Sequence, residues 1–150
     1  IDRKVNIIGS KAKDKRIIVN DDSIVRGDTT KVIIQKLRKS GAKKIHMFVT
    51  FPRIIAPCLY GIDMSSYDQL IGAKHDPKQI AEKIGADTVC YQSIDNMVKA
   101  IGCSKDELCL GCITGKYPTP IAQQIADEKK TRFLNGFKDK GRIYETGEES

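Results

Sequence analysis

A chain of 150 residues that is 40% hydrophobic has enough apolar surface to bury one ordinary core, which excludes a disordered tail. No stretch reaches the ~18–20 apolar residues of a membrane-spanning helix, so no membrane partner is expected, and the opening IDRKVNIIGS has no signal-peptide apolar region. The net charge of +7 gathers in three basic clusters, residues 3–16, 31–44 and 129–142. Such charge attracts polyanions or merely solvates helix faces. Aromatic residues interleave only in the third cluster, as Phe133 and Phe137, and nucleic acid is not an expected partner.

Residues 16–20, RIIVN, read as a short buried strand. Residues 29–40 read as a helix, with Ile33, Ile34 and Leu37 on one face and Gly41 where a closing glycine belongs. KIHMFVTF is a second apolar run of strand length, and strand, loop, helix and strand in that order imply a parallel β-α-β unit. Pro52 and Pro57 then make the chain irregular. SSYDQLIGA reads as a short helix capped by serine, and DPKQIAEKIG as a helix capped by Asp76, opened by Pro77 and closed by Gly85. DTVCYQ is a third strand candidate, SIDNMVKAIG another capped helix, and PIAQQIADEK a last one beyond the irregular CLGCITGKYPTP. The end, KDKGRIYETGEES, is polar and expected to be loosely held. The fold class is therefore α/β: a Rossmann-like, doubly wound parallel sheet with flanking helices. So few strands precede the first motif that an upstream part of the domain is expected.

Between the first strand and helix lies IIVNDDSIVRGDTT. Asp21 and Asp22 stand at the carboxyl end of a strand, where open parallel sheets bind ligands. Desolvating an unpaired carboxylate is costly, so the pair must face a cleft, cap backbone, or meet a cation or hydroxyls. One carboxylate can accept from two vicinal hydroxyls of a sugar, and a partly hydrated Mg²⁺ is the other natural partner. The loop that follows suits an anion: backbone N–H groups, the hydroxyls of Ser23, Thr29 and Thr30, and the positive end of a helix dipole, with Gly27 letting the backbone come close. Together they suggest a ribose-5-phosphate site; a plain Asp/Ser capping turn is the other reading. No G-x-x-x-x-G-K-[ST] is present, so this is not a Walker loop. A carboxylate beside a phosphate is repulsive, so Asp28 is expected to act as the helix N-cap.

The five cysteines are Cys58, Cys90, Cys103, Cys109 and Cys112. An odd number without a secretion signal argues against a disulfide framework and for a reducing cytosol, where the thiols are buried or bind metal. Cys109 and Cys112 form a C-x-x-C that lets two thiolates reach one metal or cluster, a weak signal by itself. Cys90, in an apolar strand, reads as a buried small hydrophobe. His46 reads as a surface or satisfied histidine, and His75 receives no role.

IIVNDDSIVRGDTT resembles the phosphoribosyl pyrophosphate (PRPP) motif of type I phosphoribosyltransferases, in the form carried by the glutamine PRPP amidotransferases (amidophosphoribosyltransferases). The resemblance continues through SGAKKIHMFVTFP, PCLYGID and CLGCITGKYP, in order, over most of residues 16–118. It implies that Asp21 and Asp22 bind the ribose hydroxyls with Mg²⁺ close by. It implies that Ser23, Ile24, Val25, Arg26, Gly27, Asp28, Thr29 and Thr30 wrap the 5′-phosphate, the Arg26 side chain serving there, in structure or in nucleotide binding. Where relatives often carry Thr or Asn, this chain has Asp28. The resemblance also implies that Cys58, Cys109 and Cys112 supply three ligands of a [4Fe-4S] cluster, the fourth lying outside this chain. Nothing in it supports Cys103 as a substitute.

The implied activity is glycosyl transfer: formation of 5-phosphoribosylamine from PRPP and glutamine in de novo purine biosynthesis, in a cytoplasmic homo-oligomer subject to purine nucleotide feedback. An N-terminal glutaminase domain with a nucleophilic cysteine would be a partner from the parent chain. No cysteine precedes Cys58, so glutamine hydrolysis is not expected here, and the chain alone is expected to be inactive. Residues 1–103 are expected to be part of the phosphoribosyltransferase domain, and residues 104–150 a cysteine-containing extension with no independent fold. Two other readings stand beside this one. One is a non-catalytic PRPP-sensing regulator, for which no helix-turn-helix is visible. The other is a base phosphoribosyltransferase, for which only Phe48, Phe51 and Tyr60 lie near as stacking groups.

Overall fold

The computed structural model describes residues 7–137. Strand β1 (Arg16–Asp21) pairs in parallel with β2 (Lys44–Val49), and β2 with β3 (Thr88–Tyr91), in the order β1-β2-β3. The register sets Asp21 beside Val49 and Met47 beside Val89. A short helix α1 (Gly9–Ala12) precedes β1, and α2 (Asp28–Lys39) crosses from β1 to β2. A 3-10 turn (Tyr67–Gln69), α3 (Ile71–Lys74) and α4 (Pro77–Ile84) lead to β3. Helices α5 (Ile94–Ile101), α6 (Gly111–Thr114) and α7 (Pro120–Leu134) complete the described chain. The polar tail KDKGRIYETGEES lies outside the described residues. No helix among them is long and apolar enough to cross a membrane.

Several elements form for the reasons their sequences give. Asp76 and Gln79 make a reciprocal capping box, Pro77 opens α4, and Gly85 closes it at φ 83°. Ser93 caps α5 by accepting from the Asn96 N–H at 3.1 Å. The serine cap expected in SSYDQLIGA does not form: Ser66 makes no capping bond, and the stretch divides into the 3-10 turn and α3 around Leu70, which is fully buried. The last helix runs beyond PIAQQIADEK to Leu134.

The strands advance in one direction without reversal. Right-handed crossovers then place α2 and α4 on one face of the sheet, so among the described residues it is wound singly rather than doubly. On that face Ile45, Met47, Val49 and Val89 are buried. On the other, Ile18 is 63% and Phe48 43% exposed. Cys90 falls on this open face and is exposed, which corrects its expected burial: the strand is apolar, but its alternation points this thiol away from the helices. His46 shares the face. Its Nδ1 lies 2.9 Å from Thr88 Oγ1, while its buried Nε2 has no partner among the described residues.

Asp87 ties the layers together. Its carboxylate accepts from Arg38 Nη2 at 2.6 Å, Lys44 Nζ at 2.9 Å and the Ile45 N–H at 2.7 Å. Hydrogen bonding to Lys44 is the largest cause holding its carboxyl well below the usual range, with the Ile45 N–H and Arg38 adding to it. The carboxyl end of the sheet carries a second core, where Ile54, Met64, Leu70, Met97, Val98 and Ile113 meet. Residues from beyond position 103 thus pack into a core shared with the rest of the chain.

Candidate functional site

β1 delivers its last residue, Asp21, to the carboxyl end of the sheet. The Thr50 and Phe51 N–H groups hold the carbonyls of Asp21 and Asp22 at 3.0 Å each, which fixes the acid turn against the end of β2. The side chains are also anchored: Asp21 Oδ1 accepts from the Asp22 N–H at 3.0 Å, and Asp22 Oδ1 from the Ser23 N–H at 2.8 Å. Burial pushes the Asp21 carboxyl up, and the neighbouring Asp22 carboxylate pushes it further, partly offset by the Asp22 N–H. A cation or hydroxyl donors against the pair would relieve that.

The loop beyond is pinned by its two apolar residues. Ile24 is 3% exposed and enters the core under the sheet, while Val25 packs into the second core. The Val25 carbonyl accepts from the Ile71 N–H at 2.9 Å. Arg26 Nη2 donates to Gln69 Oε1 at 2.9 Å, so this guanidinium is tied to the 3-10 turn. Gly27 has φ 87°, and a Cβ there would stand 3.1 Å from Ile71 Cδ1. The N–H groups of Ile24 to Thr30 take no backbone acceptor among the described residues. They border a cavity of about 480 Å³ whose walls are Asp21, residues 23–30 and Asp63.

One expectation is corrected here. Asp28 is not the N-cap. Gly27 occupies that position in the left-handed conformation, no side chain caps the helix, and Asp28 is its first residue. There its charge still complements the helix dipole. Asp63 borders the cradle and received no role from sequence. Its one signal was its place in PCLYGID, far along the chain from the acid pair.

Cys58, Cys109 and Cys112 border one cavity of about 640 Å³, which Asp22, Ser23 and Val25 close on the other side. The Ile55 and Ala56 N–H groups both donate to the Cys112 carbonyl, at 2.9 and 3.0 Å. Burial pushes the Cys112 thiol up, and Cys58 and Cys109 add to the rise. The thiols ring the cavity rather than converge on one point: among the described residues no three His, Cys, Asp or Glu side chains are placed to hold a single metal ion. Cys103 and Cys90 do not border it.

A parallel sheet whose first strand ends in an acid pair, with a glycine-broken loop running into the next helix, defines the class as the Rossmann-like type I phosphoribosyltransferase fold. Comparison with known proteins narrows the class. No protein-family model matches the chain. The amidophosphoribosyltransferase of Methanocaldococcus jannaschii is 44% identical over 118 residues, 79% of this chain and 25% of that protein. The Bacillus subtilis amidophosphoribosyltransferase is 41% identical over 124 residues, 80% of this chain and 26% of that protein. The solved B. subtilis glutamine PRPP amidotransferase complexed with ADP and GMP superposes with a TM-score of 0.70 at 39% identity, covering 80% of this chain and 28% of that one. The chain is thus homologous in sequence and fold to the amidophosphoribosyltransferase family, and spans about a quarter of the length of the curated relatives it matches.

Proposed function

We propose that this chain forms the ribose-phosphate-binding part of an amidophosphoribosyltransferase, which makes 5-phosphoribosylamine from PRPP and glutamine in purine biosynthesis. The observation that carries this reading is the cradle: an anchored acid pair at the carboxyl end of β1, of which Asp21 shares one cavity with a run of residues whose backbone N–H groups have no backbone acceptor among the described residues. Asp21 and Asp22 bind and orient the vicinal ribose hydroxyls. The N–H groups of residues 24–30, with the hydroxyls of Ser23 and Thr29, hold the 5′-phosphate at the positive end of α2. Mg²⁺ beside the acid pair, when bound, supplies charge neutralisation for the leaving pyrophosphate. Carboxylates near the ring also favour the positive charge that builds there as the anomeric bond breaks.

The three thiols suit a cubane cluster better than a single ion, because its irons are separate ligation points spread around a volume. Cys58, Cys109 and Cys112 would hold it, with the remaining ligand from elsewhere in the whole protein. The B. subtilis homologue was solved with ADP and GMP, which supports purine nucleotides as feedback partners here. A reducing cytoplasm, a homo-oligomer and a glutaminase domain in the whole protein belong to the same reading. So does the division into residues 1–103 of the transferase domain and the 104–150 extension.

Calorimetry with Mg·PRPP tests the cradle. Charge-assisted hydrogen bonds contribute about 1.5–3 kcal/mol each, so replacing Asp21 and Asp22 together by Asn should weaken binding roughly 100-fold or more. Unchanged affinity in a folded double variant would remove the site.

A further inference from the structure

The three thiols of the cavity come from two segments far apart in sequence, and one side chain touches both. The Tyr117 hydroxyl donates to the carbonyl of Pro57, the residue before Cys58, at 2.5 Å across 60 positions, and the contact is buried. The Tyr117 ring packs against Gly111, inside the C-x-x-C: a Cβ on Gly111 would stand 2.6 Å from Cδ1 and 2.8 Å from Cε1 of that ring. The ring therefore occupies the space that any other residue at position 111 would need. Tyr117 is itself held, its N–H donating to Gln123 Oε1 at 2.8 Å and its side chain 9% exposed among Ala56, Tyr67, Ala122 and Ala126. The glycine and the tyrosine of CLGCITGKYP are thus two halves of one contact.

We propose that Tyr117 is the positioning residue of the three-thiol site, holding Cys58 in place opposite Cys109 and Cys112. The ring sets the C-x-x-C turn through Gly111, and the hydroxyl sets the Cys58 segment through the Pro57 carbonyl. This rests on the reading of the thiols as ligands of a cluster, but the positioning itself is a property of the thiols and can be measured without one. Gly111 follows as a space requirement of the clasp rather than a requirement for backbone flexibility.

The test uses Tyr117→Phe, which keeps the ring and removes only the bond to Pro57, with Tyr91→Phe as control. Tyr91 is a half-buried tyrosine that does not line the three-thiol cavity, and its hydroxyl has no partner among the described residues. Reduced protein is treated with dibromobimane, which becomes fluorescent when it bridges two nearby thiols, and the bridged pairs are identified by peptide mass spectrometry. The variant should lose at least two-thirds of the bridging between Cys58 and Cys109 or Cys112. It should keep the local Cys109–Cys112 bridge, and bridging is read well below the variant's Tm, because an unfolded chain would also lose the long-range bridge and keep the local one. Gly111→Ala, which drives the ring off its seat, should do the same. Iron and acid-labile sulfide per chain after anaerobic reconstitution should fall in parallel, while the control stays at the wild-type level. Wild-type bridging in Tyr117→Phe, or no long-range bridging in the wild type, would overturn the proposal. Selective loss of long-range bridging in a protein that takes up no iron would uphold the positioning and remove the cluster reading instead.

Discussion

The acid-and-loop cradle and the thiol cavity are neighbours that share a wall, since Ser23 and Val25 border both, yet they are built in opposite ways. Nearly all of the cradle is one run of residues, from Asp21 to Thr30, and its shape follows from a strand end, a glycine and a helix start. The thiol cavity brings Cys58 to Cys109 and Cys112 only because Tyr117, the second core and the bonds from residues 55 and 56 to the Cys112 carbonyl close the chain on itself. A local site depends on how its loop is anchored, and a long-range site on what clasps its segments.

That contrast can be broken by substitutions that should affect one region and spare the other. Ile24→Ala removes the buried anchor of the cradle. It should destabilise the protein by about 3 kcal/mol, as large-to-small core changes do, and weaken Mg·PRPP binding beyond the Tm loss. Bridging between Cys58 and the C-x-x-C should be unchanged at temperatures where the variant is folded. Parallel loss of both would mean that the two regions are one unit. Gly27→Ala should be milder. The left-handed backbone and the 3.1 Å approach to Ile71 should cost about 1–2 kcal/mol, read by thermal unfolding, and lower phosphate affinity without altering the thiols.

Asp87→Asn probes the frame beneath both regions. Losing the charge on its three bonds should cost about 1–2 kcal/mol at neutral pH and affect the cradle and thiol cavity alike. Because the folded carboxyl titrates below its ordinary value of 3.8, its contribution is present above that pH and is lost as pH falls through the folded value. The variant and wild type should therefore converge in stability under acid. A constant gap down to acid pH would show that the loss is one of packing.

The smallest effect is expected from Tyr91→Phe, which should change stability by less than about 0.5 kcal/mol near neutrality. Burial pushes the Tyr91 hydroxyl from 10.0 up to about 12. A raised acid group contributes fully below its unfolded value, and its contribution is lost as pH rises through the folded one. Wild type should thus lose stability between about pH 10 and 12 relative to the variant, as followed by denaturant midpoints.

Legibility tracked locality. The three strands, α2, α4 and α5 could be read because caps, closing glycines and apolar periods act within a few residues. The cradle was legible for the same reason, apart from Asp63, which reaches it from a distant segment. Asp28 departs from its expected role at close range because both it and Gly27 are acceptable caps, and the left-handed turn that the loop needs gives the position to glycine. Cys90 is exposed against expectation because a strand's own composition does not say which of its faces the helices will cover. Gln69, which holds Arg26, left no signal at all: a single amide in a short turn has no pattern.

By itself, then, the sequence determined the elements, the α/β order and the contiguous acid-and-loop cradle, since hydrogen bonds and sterics within a few residues decide them. Only the tertiary structure decided that the sheet is wound to one side, that Cys58 meets the C-x-x-C across one cavity, and that Tyr117 fills the space Gly111 leaves. Those outcomes depend on burying apolar side chains from segments tens of residues apart, as in the 60-position bond from Tyr117 to Pro57, and short-range patterns do not encode which distant surfaces will meet.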